Sequence, residues 1–209
     1  MCWCGTKDQV AMKILIIGHS FVRKYHSYLV GRNIERLHRR LRDGFWSWHW
    51  CARNWLQRFI YGSRWFKRTI GYAVNTFLPD LVILELGTND LVNEVPPRDL
   101  AQSMQNLVRE LTVQISVRLV VLCQVVCRRK TRNCPTSLFD TNRLAYSVLI
   151  QQAARRNRRL YVFKHDLVNL HSTISKDEIH VTSPGGLRLC HHSIRRACVI
   201  GLNRLRDLH

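Results

Sequence analysis

Acidic residues are scarce in this chain: 14 Asp and Glu face 33 Lys and Arg, for a net charge of +19. Such an imbalance raises affinity for polyanions whatever the fold. No RNA- or DNA-binding motif accompanies it, so the charge alone does not make a nucleic-acid reader. Long apolar runs are also missing. None approaches the roughly 18 residues a membrane span needs, and no apolar core of signal-peptide length precedes the first strand-like stretch. A soluble, intracellular, cytoplasmic protein is expected. Collagen-like, repeated and low-complexity patterns are absent. The eight cysteines lack any paired zinc-knuckle spacing. Free thiols in a reducing compartment are expected, with Cys123, set in an apolar stretch, as a small core residue.

What is present suits one globular domain of 209 residues with 46% apolar content. Residues 1–11 read as an unstructured leader and 12–206 as the domain. Apolar stretches at Lys13–Ile17, Leu81–Leu86, Leu119–Val126 and Leu160–Phe163 read as strands, the middle two as buried on both faces. Between them run helical patterns. Ser20–Arg42 is one. A second starts at Pro96-Pro97 and carries Leu100, Met104, Leu107, Leu111 and Ile115. A third covers 138–156, with Leu144, Val148 and Ala153 among its apolar positions. The last is capped at Ser183-Pro184 and carries Leu187, Cys190, Ile194, Cys198, Leu202 and Leu205. Strands alternating with helices imply an α/β fold with a parallel sheet covered on both faces, and a ligand outside the carboxyl ends of the strands.

Three polar groups stand at such ends. Gly18-His19-Ser20 follows the first strand, Gly87-Thr88-Asn89-Asp90 follows "LVILEL", and Asp177-Glu178-Ile179-His180 precedes the last helix. Each alone has a plain reading: Ser20 as a helix cap, Asn89 as a turn former, His180 as a surface histidine. Together they are the parts for acyl transfer. Ser20 would attack, His180 would act as base, Asp177 would orient it, and Asn89 with the Ser20 backbone N–H would hold the oxyanion.

These motifs resemble the SGNH hydrolase superfamily, the GDSL-like lipases and esterases. "IIGHSFVR" resembles the nucleophile block, "LELGTNDL" the block with the oxyanion asparagine, and "DEIHVTSPGG" the Asp-x-x-His block. The likeness spans roughly residues 12–205 and is strongest to a divergent animal group, some of it retrotransposon-associated. It implies a three-layer α/β/α flavodoxin-like fold with a five-stranded parallel sheet. It also implies hydrolysis of small esters or O-acyl groups, with Ser20, His180 and Asp177 catalytic and with no cofactor or metal. His19 stands where the family has an acid outside the triad. The block that supplies an oxyanion glycine is eroded; Gly62 in "IYGSRWFKR" is its nearest candidate, ahead of Gly44 and Gly71. Asp90 is expected to anchor a turn.

The stretch 43–68 holds five of the six tryptophans, interleaved with arginines. Trp46, Trp48 and Trp50 alternate as one strand face would, while Leu56–Tyr61 is the expected second strand. The indoles would line a pocket, stack bases, or cover the sheet edge as an insertion. The basic loop around Arg128, Arg129, Lys130 and Arg132 reads first as solvated, and the 155–159 arginine run as a helix C-terminal charge complement. His191 and His192 read as surface residues. The alternative to an esterase is a catalytically weak module of the same fold, binding nucleic acid weakly through its Arg-rich surface or binding other proteins.

Overall fold

A computed structural model describes residues 12–18, 22, 44–50, 71–128, 130–131, 133–165 and 184–208, with 44–50 described as backbone. Five strands form the sheet: β1 (Met12–Gly18), β2 (Gly44–Trp50), β3 (Leu81–Glu85), β4 (Leu119–Cys123) and β5 (Leu160–Phe163). Their order is β2-β1-β3-β4-β5, and every neighbouring pair is parallel. The near-continuous apolar runs of β3 and β4 are buried at every position, as strands covered on both faces must be. Leu56–Tyr61 lies outside the described residues. The place beside β1 belongs instead to the alternating-tryptophan stretch, with Ile14 opposite Trp46 and Ile16 opposite Trp48 in Cα register.

Helices cover both faces. On one, Leu15, Ile17, Val82, Leu84, Val120 and Leu122 pack under α3 (Pro97–Arg109) and α4 (Thr136–Arg155). On the other, Ile14, Ile16, Leu81, Ile83, Leu119, Val121 and Phe163 pack under Ile194, Ala197, Cys198 and Leu205 of α5 (Pro184–Asp207). Two short helices complete the described elements: α1 (Tyr72–Phe77), which no apolar pattern announces, and α2 (Thr88–Val92). Val22, the one described residue between Gly18 and Gly44, is helical and buried; the rest of the helix expected over Ser20–Arg42 lies outside the described residues.

α3 begins with proline in its first turn, where a missing N–H costs nothing. It buries Leu100, Met104 and Leu107 as their spacing predicts and ends in a π turn, Glu110–Gln114, that buries Leu111. α4 departs from expectation. Leu144 and Val148 are 57% and 54% exposed, while Phe139, Tyr146 and Ile150 face the sheet. The two aromatic side chains bury far more apolar surface than Leu and Val, and they set the rotation of the helix. The final helix matches its predicted stripe: Cys190, Ile194, Cys198 and Leu205 are buried.

The amino edge of the sheet is tied through Asp80. Its carboxylate accepts from the Lys13 backbone N–H at 2.9 Å and pairs with Arg118 at 3.6 Å. Its carbonyl accepts from the Arg118 and Leu119 N–H groups. One aspartate thus holds the starts of β1, β3 and β4 level, which sets where their carboxyl ends fall. Among the described residues, no helix is long and apolar enough to cross a membrane.

Candidate active site

β1 ends at Gly18, opposite Glu85, the last residue of β3. A Cβ on Gly18 would sit 2.2 Å from Val22 Cγ2 and 2.9 Å from Glu85 Cβ. Only glycine fits this approach, at the carboxyl edge two residues before Ser20 in sequence. Ser20 itself, Gly62, Asp177 and His180 lie outside the described residues. Of the weaker oxyanion candidates, Gly44 is excluded by register. It pairs with Met12 at the amino edge, six residues of strand away from Gly18. Gly71 precedes α1 and is buried.

β3 leads directly to Asn89. Gly87 takes φ +99°, a left-handed conformation that side chains strain to adopt, and the turn opens α2. Asp90 is buried, and its carbonyl accepts from the Asn93 and Val95 N–H groups. It anchors this turn, as its position predicts. Beneath lies Tyr146: a Cβ on Gly87 would be 3.7 Å from its hydroxyl. Burial first, and then the Asp90 charge, push the tyrosine pKa up, so it stays protonated.

The loop after β4 clasps this turn rather than lying in solvent. Arg128 Nη2 donates to Asn89 Oδ1 at 3.3 Å, Asn133 donates to Asn93 at 2.6 Å, and the Cys134 thiol approaches the Leu91 carbonyl at 4.0 Å. A guanidinium has donors only, so the Asn89 atom facing it is the oxygen, and the amide NH₂ is turned away from Arg128. Lys130 is exposed as expected; Arg129 and Arg132 lie outside the described residues.

A polar cluster that spacing does not announce lies on the α5 side of the same edge. Glu85, Cys123 and His165 are all buried. His165 Nδ1 is 2.8 Å from Ser193 Oγ, and its Nε2 is 3.0 Å from Glu85 Oε1. Desolvation lowers the imidazole pKa, but the adjacent Glu85 charge and contact outweigh it and leave His165 above its ordinary value. Burial, and then Glu85, push the Cys123 thiol well up. Cys123, Cys127, Cys134, Cys190 and Cys198 are free thiols, as the spacing predicts; Cys2, Cys4 and Cys51 lie outside the described residues. A separate groove of about 580 Å³ between α3 and α4 is lined by Gln102, Thr112, Asn157 and Arg159 at the amino edge, away from Asn89.

Three solved structures show how widely the fold is shared. The psychrotrophic esterase EstA from Pseudoalteromonas sp. is 12% identical with a TM-score of 0.62, covering 88% of this chain and 97% of its own. The acetyl xylan esterase AlAXEase is 16% identical at 0.64, covering 89% and 99%. A carbohydrate esterase of family 3 from Talaromyces cellulolyticus is 10% identical at 0.62, covering 94% and 99%. At such identities the likeness carries the fold. No curated protein sequence matches the chain. Residues 16–185, from β1 to the first turn of α5, match the GDSL-like lipase/acylhydrolase family, and the chain belongs to that family of ester hydrolases.

Proposed function

We propose that the chain hydrolyses small carboxylic esters or O-acyl groups with Ser20 as nucleophile, His180 as general base and then acid, and Asp177 as its orienting partner. Ser20 Oγ attacks the carbonyl carbon as its proton passes to His180. The C–O bond breaks, and the alcohol leaves with that proton. Water then attacks the acyl-enzyme, and its proton travels through His180 back to Ser20. The oxyanion is held by the Ser20 and Gly62 backbone N–H groups and the Asn89 side-chain NH₂, each donor typically worth about 3–4 kcal/mol.

The observation that carries this reading is Asn89. It follows β3 at the carboxyl edge, where β1 also ends two residues before Ser20, and Arg128 already turns its amide. Short acyl groups come first because acetyl xylan esterase is among the structural relatives. Four of the described arginines are already engaged within the fold, while Arg98, Arg155, Arg156 and Arg158 are exposed. Arg118 pairs with Asp80, Arg143 with Asp140, Arg159 donates to the Thr112 carbonyl, and Arg204 stacks on Tyr161.

The test is labelling by a fluorophosphonate probe together with hydrolysis of a short-chain aryl ester, in wild type, Ser20→Ala and His180→Ala. Labelling and turnover in wild type alone are expected. A folded wild type that matches Ser20→Ala in both assays refutes the reading.

A further inference from the structure

In-facing positions recur every second residue along a strand. On the α5 side, β3 presents Leu81 and Ile83, β4 presents Leu119 and Val121, and β5 presents Phe163. The next position in each series is polar or nucleophilic: Glu85, Cys123 and His165. Three adjacent strands therefore end their apolar rows on a carboxylate, a thiol and an imidazole, side by side, under a helix that supplies Ser193.

Their donor atoms lie within 4.8 Å of one another, and all three residues are buried. Glu85 Oε1 and His165 Nε2 meet as an ion pair at 3.0 Å, but the contact lacks hydrogen-bond geometry, and neither atom has a further hydrogen-bond partner among the described residues. Glu85 is 7% and His165 8% exposed, so both lie out of bulk solvent. A buried contact of poor hydrogen-bond geometry satisfies its two atoms incompletely, and a cation ligated by both would satisfy them. The other ring nitrogen is already engaged by Ser193 Oγ. That is the arrangement by which proteins orient a metal-binding histidine and present its other nitrogen to the ion.

We propose that Glu85, Cys123 and His165 form a buried site for a divalent cation, zinc first. Carboxylate, thiolate and neutral imidazole are the zinc donor types, with bonds of about 2.0–2.3 Å. Those bonds place tetrahedral donors about 3.3–3.8 Å apart, close to the present packing. One thiolate and one carboxylate balance the ion's charge, so the burial is not of net charge. Three donors leave one position for a water or for Cys190, which shares the buried face of α5 with Ser193. The soft sulfur donor disfavours magnesium and calcium. The site stands outside the proposed hydrolysis. Its work is to clamp the carboxyl ends of β3, β4 and β5, and binding displaces the Cys123 proton to solvent.

The experiment strips the full chain with a chelator, then titrates it with Zn²⁺ and, separately, Co²⁺. Bound metal is read by elemental analysis after dialysis, and ligation by the near-ultraviolet thiolate-to-cobalt absorption. One ion per chain with that absorption is expected in wild type, and neither in Cys123→Ala or His165→Ala. The inference is overturned if wild type retains no metal, if cobalt binds without a thiolate band, or if Cys123→Ala keeps the wild-type stoichiometry and spectrum. Should the variants fail to fold, X-ray absorption of zinc-loaded wild type decides: a shell mixing sulfur with nitrogen and oxygen supports the site, and a sulfur-free shell overturns it. These readouts do not depend on ester turnover, so the result stands apart from that of the proposed function.

Discussion

Arg128 donates to the side-chain oxygen of Asn89 across 39 residues of chain. The contact joins the loop after β4 to the turn after β3, and it selects which end of the amide meets the guanidinium. The proposed oxyanion donor is thereby oriented before substrate arrives, which is how such donors become effective.

Asn89→Ala is expected to lower kcat on a short-chain aryl ester by about 10²–10³-fold with little change in KM, since one transition-state donor is lost. Steady-state kinetics on protein with an unchanged circular dichroism spectrum checks this. A kcat within twofold of wild type would remove Asn89 from the site.

Arg128→Ala is expected to lower kcat by roughly tenfold to a hundredfold through misplacement of the amide. Arg128→Lys recovers part of the loss. In the Asn89→Ala background, Arg128→Ala should have almost no further effect, because a positioning residue acts only through what it positions. Additive losses in the double-mutant cycle would assign Arg128 a separate role.

Gly18→Ala should destabilise the fold by about 1–3 kcal/mol, the usual range for overpacking. Its Cβ would collide with Val22 and with the Cβ of Glu85, which has no room to retreat within the strand. Urea unfolding midpoints measure the difference. A midpoint equal to wild type would mean that Val22 and Glu85 yield to the added methyl without cost.

Tyr146→Phe is expected to leave stability unchanged or to raise it by about 1 kcal/mol. The buried hydroxyl has no hydrogen-bond partner among the described residues, and removing an unsatisfied polar group relieves a desolvation cost. A loss above about 1 kcal/mol in the same assay would reveal a partner for the hydroxyl.

On α4, Leu144→Lys should change stability by no more than about 0.5 kcal/mol, whereas Ile150→Ala should cost about 2–5 kcal/mol. Thermal unfolding of the pair tests the rotation of the helix directly. The opposite ranking would restore the face suggested by leucine and valine spacing.

Much of the architecture is legible in the chain alone. Runs such as "LVILEL" have few options other than a strand buried on both faces, and α5 repeats its apolar stripe often enough to leave one orientation. Asn89 is legible as well, because a glycine directly after an apolar strand run marks where the backbone leaves the sheet, and Gly87 there takes a left-handed φ. Short or ambiguous patterns were harder. α1 is only six residues long and carries no full turn of periodicity. On α4, two competing stripes exist in the sequence, and only contact with the sheet selects between them. Beside β1, either of two stretches in the tryptophan-rich segment would satisfy strand propensity, and parallel pairing with Met12–Gly18 selects Gly44–Trp50.

By itself, then, the sequence determined the alternation of strands and helices and the family to which the chain belongs, since periodicity and local motifs are properties of neighbouring residues. The tertiary structure alone decided that Arg128 meets Asn89 and that Glu85, Cys123 and His165 share one buried space. Those residues are 38 or more positions apart in each case. What brings them together is the registration of parallel strands, which places the ends of β3, β4 and β5 side by side whatever the length of chain between them.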